Sequence, residues 1–314
     1  MPKRHFYNQT VTCLLGDPVE HSVSDVMFQY FGKLTGIENY NHLKFKVSKT
    51  NPENLKITMQ AISILGIVGA NITLPYKEEV IKYLDKVDKT AWLTGAVNTV
   101  VNRREKLIGY NTDGPAAIRA IETKLRPIKS FDKIVIFGAG GAARAIIGSL
   151  PKVSCITVLN RASDLKRTKK LKKEFARHGI EVETKPLTEK NITLAIEKAH
   201  FVINATPVGM YPKSGNSLIH KHCLDKIGKS AIENKEFFDA VFNPFETKFL
   251  KLAKQYGARI CPGIYMMIYQ GIRAFKLWTG RNVPEEKVEE VRNILQKVIH
   301  FRYEFIYQGK PNRH

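Results

Sequence analysis

Complementary polar side chains are gathered in four short stretches of the N-terminal third of the sequence: HSVS (21–24), NITLPYK (71–77), GAVNT (95–99) and GYNTDG (109–114). Their hydroxyl and amide groups suit recognition of a small polyol. A lysine such as Lys77 suits proton transfer, and an aspartate such as Asp113 can hold that lysine in place. Taken singly, Ser24 could cap a helix, and Gln270, in an apolar stretch near the C-terminus, could be a satisfied core amide. Together the groups indicate a polyol site with proton-transfer chemistry.

These stretches fall at the ends of predicted strands or in turns, where the ligand sites of α/β proteins collect. Period-two and buried apolar runs predict strands at VTCLLG (11–16), HLKFKV (42–47), IVGANITL (67–74) and GAVNTVVN (95–102). Helical spacing predicts helices from Ser24 onward, over 51–65 and over KEEVIKYLD (77–85). The alternation predicts βαβ units and a largely parallel sheet.

A glycine-rich turn begins a second region. The segment FDKIVIFGAGGAARAIIGSL (131–150) is a buried strand, a turn and an alanine-rich helix. Gly138 permits a tight turn, Gly140 allows close approach of a pyrophosphate, and Ala143 allows the helix to pack on the strand. The pattern predicts a dinucleotide site. Further strands are predicted at 155–161 and 239–244, and 201–210 is predicted to be a strand that ends in a loop. Helices are predicted over 264–279 and 284–307.

The end of the next strand predicts which dinucleotide binds. CITVLNR (155–161) ends in Asn160-Arg161, with no acid before Asp164. An acid there would take the ribose hydroxyls of NAD, whereas Arg161 could pair with the 2′-phosphate of NADP. Lys166 or Arg167 could add charge. Arg161 could also be an ordinary surface arginine, but its position favours NADP.

Composition excludes several classes of protein. The 314 residues, 43% hydrophobic and 25% charged, favour two globular domains. No apolar run approaches the roughly 18–20 residues of a membrane span. The N-terminus lacks the apolar core of a signal peptide, so we expect a cytoplasmic protein. Four scattered cysteines show no zinc-ligand spacing, and we expect no metal. The net charge of +21 is spread along the chain, so we expect neither a nucleic-acid nor a membrane partner. Monomer and homodimer both stay open.

The motifs resemble those of the shikimate dehydrogenase family over nearly the whole chain. The family's HSxSP, NxTxPxK, GAxNT and NTDG are HSVSD, NITLPYK, GAVNT and NTDG here. GAGGA, NR, NATxxGM, DAVFNPFETKFL and GIYMMIYQ follow in the family's order. The resemblance implies NADPH-dependent, reversible reduction of 3-dehydroshikimate to shikimate, a step of aromatic amino acid biosynthesis. It implies an α/β substrate domain (1–112 and 263–314), a Rossmann-like NADP-binding domain (113–262) and C-terminal helices that return to the first domain.

The resemblance also implies a role for individual residues. Lys77 and Asp113 would be the catalytic pair. The substrate would be bound by Ser22, Ser24, Asn71, Thr73, Asn98 and Gln270. The cofactor would be bound by Gly138, Ala139, Gly140, Gly141, Ala142, Asn160, Arg161, Thr206, Gly263 and Met266.

Departures from the family pattern leave alternatives open. They are Asp25 for a proline, Ala162 for a threonine, Phe242 for a tyrosine, and Pro262 and Tyr265 around Gly263. One alternative is a quinate/shikimate dehydrogenase that uses NAD or both cofactors. Others are a non-catalytic dinucleotide-binding regulator and a structural protein that binds no nucleotide. Assays of quinate beside shikimate, and of nucleotide turnover, distinguish these functions.

Overall fold

The computed structural model describes residues 9–307, and the chain divides into two compact units. The N-terminal unit comprises residues 1–112 and 271–314, and the central unit comprises residues 113–270. The second change of unit lies between Gln270 and Gly271, inside a helix, whereas the sequence-based division placed it before residue 263. Among the described residues, no helix combines the length and apolar character needed to cross a membrane.

The N-terminal unit is built on a mixed sheet. Within residues 9–307 its strands are β1 (Thr10–Gly16), β2 (Tyr40–Lys46), β3 (Gly69–Ile72), β4 (Lys86–Val87), β5 (Thr99–Arg103) and β6 (Lys106–Tyr110), in the order β2-β1-β3-β5-β6-β4. β1 pairs parallel with β2 and β3, and β4 pairs parallel with β6, which agrees with the predicted largely parallel sheet. β5 is the exception and pairs antiparallel with both β3 and β6. The cause is a tight hairpin at Arg104 and Glu105, whose φ angles of 52° and 66° are those of a type I′ turn.

Helices cover both faces of this sheet. They are α1 (Ser24–Leu34), α2 (Glu53–Ile64), α3 (Lys89–Thr94), the C-terminal part of α11 (Ile264–Thr279) and α12 (Val288–Tyr307). On one face, buried aromatic side chains from α1 and α11 meet, with Phe28 and Trp278 ring centroids 5.0 Å apart. On the other face, Cys13 and Leu15 of β1 join the apolar side of α2. The predicted helix at 77–85 is only a 3-10 helix (Glu79–Tyr83), because Asp85 N already bonds to Leu107 O.

The central unit is built on a parallel sheet. Its described strands are β7 (Lys133–Phe137), β8 (Cys155–Asn160), β9 (Glu183–Pro186), β10 (Phe201–Asn204), β11 (Glu236–Asp239) and β12 (Arg259–Cys261), in the order β12-β11-β10-β7-β8-β9. All the pairings are parallel. This is the strand order of a Rossmann fold, which confirms the predicted architecture. The carboxyl ends of β7 and β10, where the order reverses, are the usual place for a ligand.

Helices of the central unit supply the rest of its core. They are α4 (Asp113–Lys124), α5 (Gly141–Ser149), α6 (Leu165–Ala176), α7 (Glu189–Lys198), α8 (Lys221–Ile227), α9 (Lys229–Ile232), α10 (Lys248–Gln255) and the start of α11. α6 buries only Thr168, Leu171 and Phe175, so its basic residues form the solvated face that its sequence predicts. The strand predicted at 239–244 was wrong: Val241 N bonds to the Asp239 carboxylate instead of to a neighbouring strand.

Candidate active site

Asn71, at the carboxyl half of β3, presents a buried acceptor without a partner. Its side chain is 5% exposed, and Nδ2 donates to Asn98 O at 3.2 Å and to Thr99 Oγ1 at 3.3 Å. Within the described residues, Oδ1 has no hydrogen-bond partner. Leaving a buried acceptor unpaired costs about 1–3 kcal/mol. A donor from a ligand, such as a hydroxyl, would remove that cost.

Asn98 and Thr112 form a rigid link beside Asn71. The Asn98 carboxamide donates from Nδ2 to Thr112 Oγ1 at 2.9 Å and accepts the Thr112 backbone N–H at 2.7 Å. Both side chains are buried. Asn111 adds a bond from Nδ2 to Ala96 O at 3.0 Å. The stretches GAVNT and NTD are therefore held together, and the backbone is fixed immediately before Asp113.

The backbone of Lys77 is hydrogen-bonded to the GAVNT stretch that carries Asn98. Its carbonyl accepts the N–H of Val97 at 2.7 Å. The chain reaches Lys77 through a turn in which Tyr76 N donates to Thr73 O at 3.0 Å, after Thr73 N has bonded to Leu15 O. The Leu74–Pro75 peptide bond in this turn is cis. The N-terminal unit thus brings Asn71, Thr73, Lys77 and Asn98 together.

The HSVS stretch turns into α1 through its own serines. Ser22 Oγ donates to Ser24 Oγ at 3.0 Å and accepts the Ser24 backbone N–H at 3.2 Å. Asp25 replaces the family's proline and receives Arg302 Nη2 at 2.7 Å, while Lys44 Nζ donates to Ser22 O at 3.0 Å. Burial opposes the charge of Asp25, but the hydrogen bond and charge of Arg302 hold its pKa below the usual value. The aspartate in place of proline therefore adds an ion pair with Arg302 that holds the start of α1.

Two of the residues predicted for catalysis and substrate binding, Asp113 and Gln270, belong to the central unit. Asp113 is the first residue of α4 and is 9% exposed. Gln270 is half-buried on α11, and its Nε2 donates to Met267 O at 2.9 Å. The carboxylate at the start of α4 is also stabilised by the helix dipole.

The glycine turn of the central unit leaves space for a phosphate. Gly138 has φ 99°, and a Cβ there would lie 2.7 Å from Thr206 Cγ2. A Cβ on Gly140 would meet only Arg167 Nη2, at 3.8 Å, and one on Gly141 would meet nothing within 4 Å. No side chain caps α5, whereas Ala143 is fully buried against the sheet. The open N-terminus of α5 suits a pyrophosphate, with Ala139 and Ala142 on either side.

Two arginines lie near the end of β8. Arg161 is 73% exposed in its side chain and pairs with Asp164, Nη2 to Oδ2, at 2.8 Å. Arg167, on α6, is the one whose guanidinium approaches the glycine turn. Asn160 Nδ2 donates to Thr168 Oγ1 at 2.9 Å, which ties the strand end to the same helix. The sequence pointed to Arg161 first, whereas the geometry also places Arg167 toward the turn.

A buried carboxylate, which the sequence analysis gave no role, holds the loop that carries Thr206. Asn204 Oδ1 accepts from the backbone N–H of Thr206 at 2.9 Å and from its hydroxyl at 2.7 Å. Asn204 Nδ2 donates to Asp239 Oδ1 at 2.9 Å, and Thr247 Oγ1 donates to Asp239 Oδ2 at 2.5 Å. Asp239 is fully buried. Burial raises the pKa of Asp239 from 3.8 to about 7, against the lowering effect of these bonds.

The start of α11 packs closely on the end of β11. A Cβ on Gly263 would lie 2.6 Å from Val241 O, so only glycine fits. Met266 and Tyr265 are each 8% exposed. The Tyr265 ring lies under the ammonium group of Lys124, which is 4.1 Å from the ring centroid. The ring is therefore engaged by a cation of its own unit.

Comparisons with known proteins agree with this geometry. The family profiles of the shikimate dehydrogenase substrate binding domain and the shikimate 5′-dehydrogenase C-terminal domain match residues 14–100 and 263–291. The NADP(+) shikimate dehydrogenase of Methanocaldococcus jannaschii is 40% identical over 91% of this chain and 96% of that protein. A shikimate dehydrogenase solved with NADP+ superposes with a TM-score of 0.81 at 39% identity, covering 93% of this chain and 96% of that chain. Quinate dehydrogenase from Corynebacterium glutamicum, solved with NAD, gives 0.80 at 29% identity, covering 91% of this chain and 99% of the other.

Proposed function

Because this chain belongs to the shikimate dehydrogenase family, we propose that it reduces 3-dehydroshikimate to shikimate reversibly with NADPH, in aromatic amino acid biosynthesis. The observation that carries the proposal is the buried, unpaired Oδ1 of Asn71, in a cluster with Lys77 and Asn98. A hydroxylated substrate supplies the donor that this atom lacks. Ser22, Ser24, Thr73 and Gln270 complete the proposed substrate contacts.

Lys77 is the proposed general acid. NADPH, when bound, supplies a hydride to the carbonyl carbon of the substrate. The Lys77 ammonium gives a proton to the developing alkoxide, and in the reverse direction the neutral amine takes the hydroxyl proton. The proposed role of Asp113 is to orient the ammonium. Hydrogen bonds fix the backbone of Lys77, through Val97, and the backbone of Thr112, immediately before Asp113.

The proposed cofactor contacts follow the glycine turn. The backbone of Gly138–Ala142 faces the pyrophosphate, and Arg161 with Arg167 binds the 2′-phosphate of NADP. The rest of the NADP molecule is proposed to contact Asn160, Thr206, Gly263 and Met266. The open space before α5 fits a phosphate, because a side chain at Gly140 or Gly141 would occupy it.

Quinate is the second candidate substrate. Phe242 lacks the hydroxyl of the tyrosine that the family carries, and a quinate dehydrogenase shares the fold at a TM-score of 0.80. For location we propose the cytoplasm, since all four cysteines are free thiols, as a reducing compartment favours. We propose a small-molecule substrate with no nucleic-acid partner, in a monomer or homodimer.

Steady-state kinetics with shikimate and quinate, each with NADP+ and NAD+, test the function. We expect the highest kcat/KM for shikimate with NADP+. Lys77→Ala should lower kcat by about 10²- to 10⁴-fold with little change in KM. Lys82→Ala, an exposed lysine in the next helix, is the matched control. A Lys77→Ala enzyme with near-normal kcat contradicts the assignment of the acid, and a preference for quinate contradicts the assignment of the substrate.

A further inference from the structure

Three side chains with metal-binding atoms meet on the central unit, on the helices α7 and α8. They are Glu189, at the start of α7, and His222 and Cys223, in the first turn of α8. His222 Nε2 lies 3.0 Å from Glu189 Oε2 and 3.7 Å from Cys223 Sγ. All the ligand atoms lie within 4.8 Å of one another.

These separations are close to the edges of a tetrahedral metal site. Zinc bonds of roughly 2.3 Å to sulfur and 2.0–2.1 Å to nitrogen or oxygen, at tetrahedral angles, place sulfur and nitrogen about 3.6 Å apart and nitrogen and oxygen about 3.3 Å apart. The observed distances of 3.0 Å and 3.7 Å differ from these by a few tenths of an ångström. Rotations of exposed side chains suffice to close that difference.

The surroundings already orient the carboxylate. Lys226 Nζ donates to Glu189 Oε1 at 2.7 Å, which leaves Oε2 directed at His222. A partner that holds the second oxygen of a metal-binding carboxylate is the usual outer-shell arrangement.

We propose that Glu189, His222 and Cys223 bind a zinc ion that joins α7 to α8. A thiolate, an imidazole and a carboxylate together favour Zn²⁺ over Mg²⁺ or Ca²⁺, which prefer oxygen ligands. Binding releases the thiol proton of Cys223 to solvent. The Nε2 proton that His222 donates to Glu189 also leaves to solvent, and the imidazole that ligates the metal through Nε2 is the neutral form with its proton on Nδ1. The fourth position is taken by water or by His220, whose ring stacks on His222 with centroids 5.7 Å apart.

The spacing along the chain concealed this group. A zinc site is recognised in a sequence by closely spaced pairs of cysteines and histidines, whereas Glu189 precedes His222 by a whole strand and its connections. The stretch IHKHC (219–223) was the available signal. The expectation that no metal binds rested on the scattered cysteines alone.

Titration of the full-length protein with Co²⁺, a spectroscopic substitute for Zn²⁺, tests the proposal. We expect a thiolate-to-cobalt charge-transfer band that saturates at one equivalent and is abolished by Zn²⁺. Cys223→Ser should lose the band, and His222→Gln and Glu189→Gln should each weaken binding by at least about 10-fold. Cys155→Ser and His178→Gln are the matched controls and should bind as the unaltered protein does.

Dehydrogenase activity serves as the folding check, because none of these residues is among the proposed substrate or cofactor contacts. If buried Cys223→Ser does not fold, the two variants at exposed positions, His222→Gln and Glu189→Gln, decide. A thiolate band that never forms in the unaltered protein overturns the proposal. So does a band that persists in Cys223→Ser or disappears in Cys155→Ser.

Discussion

Replacing Asp239 with Asn should make the free energy of unfolding less dependent on pH. The carboxylate is fully buried, and its pKa is raised from 3.8 to about 7. Between these two values the folded protein keeps a proton that the unfolded chain has released. The stability that this group contributes is therefore fully present at low pH and is lost as the pH rises toward and through 7.

The size of the effect follows from the two pKa values. With 3.8 in the unfolded chain and about 7 in the folded protein, this group alone lowers the free energy of unfolding by about 2–3 kcal/mol between about pH 5 and pH 8. Asn is a neutral replacement of similar shape. Its Oδ1 can accept from Val241 N and Asn204 Nδ2, and its amide can donate to Thr247 Oγ1, which already accepts from Leu250 N.

The assay is urea unfolding of both proteins at several pH values across this range. We expect the difference in unfolding free energy between Asp239→Asn and the unaltered protein to shift in favour of the variant as the pH rises. Asp225→Asn, an exposed acid of the same unit, is the control. Parallel pH curves for Asp239→Asn and the unaltered protein would refute the reasoning.

The same network holds the loop of Thr206, a proposed cofactor contact. Because Asp239 holds Asn204, and Asn204 holds Thr206, the Asn variant should keep a near-normal KM for NADPH. Asp239→Ala removes one of the two acceptors of the Asn204 amide, leaving only Val208 O, and should raise that KM, at a cost of about 1–3 kcal/mol in binding or stability. Equal KM values for the two variants would show that the loop does not depend on this carboxylate.

Three further substitutions test the proposed contacts. Asn71→Ala should raise the KM for shikimate by the equivalent of about 1–3 kcal/mol, and an unchanged KM would place this residue outside the substrate site. Arg167→Ala should raise the KM for NADPH at least as much as Arg161→Ala and leave the KM for NADH unchanged, because NADH has no 2′-phosphate. Gly263→Ala should lower the free energy of unfolding by about 1–3 kcal/mol, because the added Cβ clashes with Val241 O. Gly215→Ala should leave that free energy unchanged, because the space around Gly215 is open.

Features that depend on neighbouring residues were predictable from the sequence. The Rossmann-type turn rests on glycines within six residues, and α11 (Ile264–Thr279) has the bounds that its apolar pattern predicts. The β5–β6 hairpin was not predictable, because Arg104 and Glu105 adopt positive φ without the Asn-Gly or Asp-Gly signal of such turns.

Features that depend on distant residues were hidden for a different reason. Asp239 and Asn204 are 35 positions apart and become neighbours only when β10 pairs with β11. The sequence identified Asp25 only as a departure from the family's proline, whereas the fold places Arg302, 277 positions away, beside it. The sequence around a carboxylate does not indicate which distant residue will contact it. The roles of these residues therefore follow only from the three-dimensional structure.

The discontinuous make-up of the N-terminal unit determines when its core can form during synthesis. Trp278 donates from Nε1 to Val100 O, and a Cβ on Gly69 would collide with its ring. Phe275 packs on Phe31 in the same core. The central unit is continuous in sequence and emerges from the ribosome complete, before α11 has fully appeared. Residues 9–112 therefore keep part of their apolar core uncovered until α11 has been synthesised. The central unit is synthesised later than residues 9–112 but can complete its folding first.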